Sequence, residues 1–231
     1  MQKLNLTNAF KCNIINSFPL FPPFFPPIKF THFVQSALSG MCDVNNDGIH
    51  DVLIGDMANT PIAAAAFVVF GRRRGWTTPF CVEDLDGTNG FKITTGTSAN
   101  FSRFFGFRGP ICANDFNGDG FSDLLVGDFG AESFRGRAVL IYGRAVWPAV
   151  ITAVSIRAGT SAIASGGVMF TTSELSSQFT GFSLASLDLN LNGNSDIVIG
   201  APKAEGSAGQ VHVIWGGARS LESNIINPMQ L

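Results

Sequence analysis

Residues 43–56 read DVNNDGIHDVLIGD, a stretch in which acids and amides recur at every second position before the chain turns apolar. The same arrangement returns as DFNGDGFSDLLVG from Asp115 and as DLNLNGNSDIVIG from Asp188, at almost equal intervals along the chain. Three copies at a near-constant period define a repeated unit. The match continues beyond the loops. Gly55, Gly127 and Gly200 close the apolar runs, and Gly71, Gly143 and Gly216 follow at one fixed distance, at the ends of FVVFG, VLIYG and HVIWG.

These apolar runs are short, rich in Val, Ile, Leu and aromatics, and bounded by glycine, which predicts buried strands rather than helices. Further strands fit between the units, in CVEDLDGTNGFKITTG from Cys81 and in the Gly-rich stretch from Ile151 to Ser173. About four strands in each unit of roughly 70 residues predict an all-β fold of propeller-type blades. The units run over 33–80, 81–150 and 151–217. They are flanked by a Pro/Phe-rich segment, 1–32, that reads as poorly structured, and by a tail, 218–231.

The loops have a chemical logic. In the pattern D-x-N-x-D-G-x-x-D, oxygens at positions 1, 3, 5 and 9, with the carbonyl of position 7, can converge on one point if the chain turns at position 6. Glycine stands at position 6 each time, as Gly48, Gly120 and Gly193, and glycine adopts the positive φ of such a turn without strain. The candidate ligands of the first loop are Asp43, Asn45, Asp47, Asp51 and the carbonyl of Ile49. Those of the second are Asp115, Asn117, Asp119, Asp123 and the carbonyl of Phe121; those of the third are Asp188, Asn190, Asn192, Asp196 and the carbonyl of Asn194. Clustered carboxylates repel one another unless a cation sits among them, and an all-oxygen set favours Ca2+ over zinc or copper. The sequence therefore predicts up to three calcium sites, the third weaker because it carries two carboxylates rather than three. An ordinary Asx-rich turn explains one such loop, but three in register favour the metal. An EF-hand is excluded, because its position 12 needs a bidentate Glu and here holds Ile54, Val126 and Ile199.

Composition narrows the function classes. The chain has 231 residues, 45% of them hydrophobic and 14% charged, enough for a substantial core, and its net charge of -2 argues against nucleic-acid binding. Arg72, Arg73 and Arg74 form the basic run and read as a solvated loop. No apolar run approaches the roughly 20 residues of a membrane span. Prolines interrupt the N-terminal apolar stretch, which does not read as a signal peptide. The four cysteines, Cys12, Cys42, Cys81 and Cys112, allow three pairings or buried thiols and leave the compartment undecided. Asn5 and Asn100 open glycosylation sequons. The three histidines, His32, His50 and His212, make no HExxH, and no GxSxG is present, so the chain reads as non-catalytic. His50 reads as solvated, and His212, between Val211 and Val213, as facing outward or meeting a neighbouring blade.

Over residues 33–217 the sequence resembles the FG-GAP repeats of the integrin α-subunit β-propeller and of extracellular proteins built from similar blades. Phe105-Gly106 matches the FG element and Gly200-Ala201-Pro202 matches GAP in full. Units one and two carry Gly55-Asp56-Met57 and Gly127-Asp128-Phe129 in place of GAP, unit three carries Thr180-Gly181 in place of FG, and unit one lacks that glycine. The resemblance implies calcium loops joining adjacent strands on one face of a propeller, where the ion braces a hairpin. It also implies an extracellular or cell-surface adhesion and recognition module with a protein or glycan ligand or a partner subunit. The alternatives are an accessory propeller attached to, or derived from, a larger secreted enzyme, and a degenerate fragment. Relatives close a ring of about seven blades, and even the smallest propellers use about four. Three units therefore predict a partial propeller, completed by further blades or by self-association.

Overall fold

The computed structural model describes residues 28–29, 38–56, 65–73, 80–95, 102, 104–153, 156, 166–172 and 176–217. Most of the N-terminal segment, the tail from 218, His32, Arg74, Cys12 and both sequon asparagines lie outside the described residues. The strands are β1 (Ile28–Lys29), β2 (Leu38–Cys42), β3 (Asp51–Asp56), β4 (Ala65–Val69), β5 (Phe80–Cys81), β6 (Gly90–Thr94) and β7 (Ile111–Asn114). They continue with β8 (Asp123–Gly127), β9 (Arg137–Ile141), β10 (Val150–Thr152), β11 (Gly167–Thr171), β12 (Ser183–Leu187), β13 (Asp196–Ala201) and β14 (Gln210–Ile214).

The fold is all-β, and its three large sheets are blades. The first runs β10-β6-β4-β3-β2, the second β11-β9-β8-β7 and the third β12-β13-β14. Within each, the strands before and after the acidic loop pair antiparallel: β2 with β3, β7 with β8, β12 with β13. The loops are hairpin tips, as the sequence pattern predicts. The outer strand of the first blade, β6, comes from the stretch after Cys81, and that of the second, β11, from the Gly-rich stretch after Ile151. No closed ring forms among the described residues.

Alternation of side chains along each strand gives every blade two apolar faces, and successive blades stack on them. Leu53, Ala66, Val68 and Phe91 of the first blade meet Leu124, Val126, Val139 and Ile141 of the second in one seam. Leu125, Ala138, Leu140 and Phe170 of the second meet Ile197, Ile199 and Ile214 of the third in the next. The outer face of the first blade, with Ile54, Phe67 and Val69, is covered by Val82 and Leu85 around the short 3-10 turn Val82–Asp84.

The repeat also sets the backbone contacts between blades. The amide of Ser122 donates to the carbonyl of Asp43 at 3.3 Å and that of Arg144 to Val44 at 3.1 Å. In the next seam Ser195 donates to Asp115 at 3.1 Å and Gly217 to Phe116 at 2.8 Å, the same places one unit on. A disulfide, Cys42–Cys112, ties β2 to β7 across the first seam, and Cys81 is disulfide-bonded as well.

The glycines of the family pattern lie in the seams. A Cβ on Gly55 would run into the carbonyl oxygen of Gly106, and one on Gly127 into that of Gly181. The amides of Gly106 and Gly181 donate to Gly127 and Gly200 of their own blades. The FG glycine therefore brings its backbone against the preceding blade, and only a residue without a side chain can receive it there.

Candidate metal loops

Each loop is built by one hydrogen-bond network, repeated with the same atoms. The carboxylate at position 1 accepts from the amides of positions 5 and 6. Asp43 takes Asp47 and Gly48 at 3.0 and 2.8 Å, Asp115 takes Asp119 and Gly120 at 3.0 and 2.9 Å, and Asp188 takes Asn192 and Gly193 at 3.1 and 2.9 Å. The side-chain carbonyl at position 3 (Asn45, Asn117 or Asn190) also accepts from the position 5 amide. Position 5 (Asp47, Asp119 or Asn192) accepts from the amide of position 7. The chain wraps around these oxygens because the position 6 glycines have φ of 80, 90 and 87°, left-handed values that glycine reaches without a steric penalty.

Position 9 anchors the loop to its blade. Asp51, Asp123 and Asp196 open β3, β8 and β13 and are buried. One oxygen of each accepts from the amide of position 2: Val44 at 2.8 Å, Phe116 at 2.9 Å and Leu189 at 2.8 Å. The other accepts from Gly71 at 2.9 Å, and from Gly143 and Gly216 at 2.8 Å. This explains the second glycine of every unit. Its amide must reach the carboxylate, and a Cβ there would strike the carbonyl of His50, Ser122 or Ser195. The constant spacing from Gly55 to Gly71, Gly127 to Gly143 and Gly200 to Gly216 carried this signal, but the sequence alone did not tie it to position 9.

Burial raises the pKa of Asp51 to about 6 and that of Asp123 to about 7. In both cases amide hydrogen bonds pull the value down, while the charges of Asp43 and Asp47, or of Asp119 and Asp115, push it up. Among the described residues, no three acid, histidine or cysteine side chains close on a single point; the carboxylates are turned onto backbone amides. An oxygen that accepts one N–H keeps a second lone pair. The carbonyls of Ile49, Phe121 and Asn194 accept no hydrogen bond among the described residues. The donor set thus fits a hard cation in chemistry and in order along the chain.

At the other ends of the second and third blades lies a polar and aromatic cluster absent from the sequence reading. Asp128 is buried, accepts from the amide and hydroxyl of Ser102, and faces Arg137, whose guanidinium pairs with Glu132 at 2.8 Å. Burial raises its pKa to about 6, against the pull of Ser102 and Arg137. Around it stand Phe104, Phe107, Phe129, Phe179 and Phe182, with neighbouring ring centroids 4.7 to 6.4 Å apart. His50 is exposed; His212 is buried and lines a small cavity between the second and third blades with Phe170, Thr180 and Ile199.

Residues 180–214 match the family model of the FG-GAP repeat. The match covers the third blade from Thr180-Gly181 to the end of β14, so the resemblance read from the sequence holds there. The loop network and seam glycines extend the same design to the first two blades. No helix of the described residues is long and apolar enough to cross a membrane.

Proposed function

We propose that the chain is a non-catalytic, calcium-braced recognition module of the integrin-α-like type, working outside the cell and presenting a blade surface to a protein or glycan ligand. One observation carries the reading: three hairpin tips repeat one hydrogen-bond network, in which the acids and amides at positions 1, 3 and 5 wrap the chain around a left-handed glycine and the position 9 acid ties the loop to its blade. Calcium would be held by Asp43, Asn45, Asp47, Asp51 and the Ile49 carbonyl, and by the corresponding sets from Asp115 and Asp188. The ion would supply the positive charge that lets buried Asp51 and Asp123 ionise together with their neighbours. The Cys42–Cys112 disulfide supports an oxidising compartment, where calcium is also abundant enough to fill modest sites, at about 0.1 to 1 mM.

Calorimetric titration of the purified chain with calcium tests the reading. Three binding events are expected, one weaker than the others, with Asp47→Ala losing more affinity than Asn192→Ala. Absence of heat on titration, with magnesium and calcium alike, would count against the metal and the role built on it.

A further inference from the structure

Two departures of the third unit from the repeat meet at one place. In the second unit the FG phenylalanine, Phe105, is fully buried and packs in the first seam together with Val139. Gly106 and Gly181 make the same backbone contact, donating to Gly127 and Gly200 of their own blades, so Thr180 stands in the place of Phe105. Val139 pairs with Val126 and His212 with Ile199 in the same register, so His212 stands in the place of Val139. An apolar pair in the first seam is thus a hydroxyl and an imidazole in the second.

The exchange leaves a cavity. Thr180 and His212 line it together, between Phe170 of the second blade and Ile199 and Ile214 of the third. Thr180 is 4% exposed and His212 6%, yet neither Thr180 Oγ1 nor His212 Nε2 has a hydrogen-bond partner among the described residues. A buried polar atom left unpaired costs free energy, which native structures avoid. The space suits about one water molecule. Water both donates and accepts, so it can serve a hydroxyl and an imidazole nitrogen at once, whichever of the two carries the donor.

A positive charge would find no counterpart there. Among the described residues, no charged side chain lines the cavity. The charged groups on the surrounding elements are engaged elsewhere: Arg137 faces Glu132 and Asp128, Arg135 donates to the Thr172 carbonyl, and Asp196 accepts from the Leu189 and Gly216 amides. Lys203 and Glu205 are exposed. Burial lowers the pKa of His212, so the folded chain keeps the imidazole neutral at a pH where the unfolded chain begins to protonate it.

We propose that the cavity is a built site for one water molecule, shared by Thr180 and His212, and that this polar joint makes the docking of the third blade on the second sensitive to acid. While His212 is neutral, the water completes the seam. A protonated His212 sets an unpaired cation beside Phe170 and Ile214, and the third blade loosens there. The first seam holds Phe105 and Val139 at that place and has nothing to titrate. The contribution of neutral His212 is fully present above the ordinary value of 6.5 and is lost as the pH falls below it. None of this depends on calcium.

A high-resolution crystal structure of the purified chain at neutral pH reads the site directly. One ordered water within hydrogen-bond distance of both Thr180 Oγ1 and His212 Nε2 is expected; a cavity without ordered water, or a direct bond between the two side chains, overturns the proposal. Thermal unfolding at a series of pH values reads the joint. His212→Gln keeps a side-chain donor and acceptor but does not titrate, and the comparison cancels the shifts of the buried aspartates. Relative to it, the wild type is expected to lose thermal midpoint as the pH falls through 6.5. The Thr180 amide, which donates to the Arg135 carbonyl of the second blade, should lose protection from hydrogen exchange before the Ser122 amide of the first seam. Thr180→Phe with His212→Val rebuilds the apolar pair of the first seam and should show no such acid step. A difference that stays flat with pH against either folded variant, or equal loss of protection in both seams, overturns the proposal.

Discussion

Phe116 and Leu189 hold the same place in two copies of one loop, yet Phe116 is fully buried and Leu189 is 44% exposed. Their backbones are alike: each amide binds the position 9 carboxylate of its own loop. What differs is the neighbour. Phe116 lies under the third blade, whose Gly217 amide reaches its carbonyl, whereas no described element covers Leu189. Burial in a repeat protein thus depends on stacking more than on residue type. Gly127 and Gly200 make the same point. A Cβ on Gly127 would collide with the Gly181 backbone, while on Gly200 its nearest obstacle is the Ser183 side chain, which can turn away.

Substitutions sharpen this contrast. Phe116→Ala removes a fully buried ring and should cost about 4 kcal/mol, whereas Leu189→Ala should cost under about 1 kcal/mol; urea unfolding of the two variants compares them directly. Equal losses would mean that the two seams are not different in the way described.

A second contrast lies in Asp128, whose counterpart in the third blade is Ala201. Its folded pKa of about 6 lies above the ordinary 3.8, so the folded chain holds that proton more tightly than the unfolded one. The contribution to stability is therefore greatest below pH 4 and falls as the pH rises to about 6, by roughly 3 kcal/mol in all. Subtracting the Asp128→Asn profile from that of the wild type should leave this falling step, and a flat difference would refute it.

Gly127→Ala should cost about 2 kcal/mol through overpacking, and Gly200→Ala well under that. The smallest effect is expected at position 4 of the loops, where Asn46, Gly118 and Leu191 all have positive φ, 55, 76 and 59°. Asparagine and glycine tolerate this conformation and leucine does not. Leu191→Asn should therefore raise the stability of the third loop by about 0.5 kcal/mol, measured as a shift in thermal midpoint.

Much of this architecture could be read from periodicity. Loops with glycine at position 6, apolar runs of strand length and a near-constant repeat period are local signals, and β3, β8 and β13 each begin on the position 9 acid and run through the apolar stretch. The outer strands were less legible. β6 and β11 lie in Gly-rich stretches whose partners, β4 and β9, are set by tertiary pairing. The cross-seam disulfide was also hidden, because four cysteines without a motif allow several pairings and only stacking brings Cys42 and Cys112 together. The FG glycine lies against the preceding blade at Gly55 or Gly127, a close approach between units that spacing along the chain did not reveal. The Asp128 and phenylalanine cluster gave no signal in sequence, since its members come from separate turns of two units.

Thermal unfolding of the purified chain in millimolar calcium and in excess chelator tests the central claim most directly. The account predicts a clearly higher midpoint with calcium, because an ion bound only by the folded loops shifts the equilibrium toward them. Identical midpoints in the two conditions would contradict it.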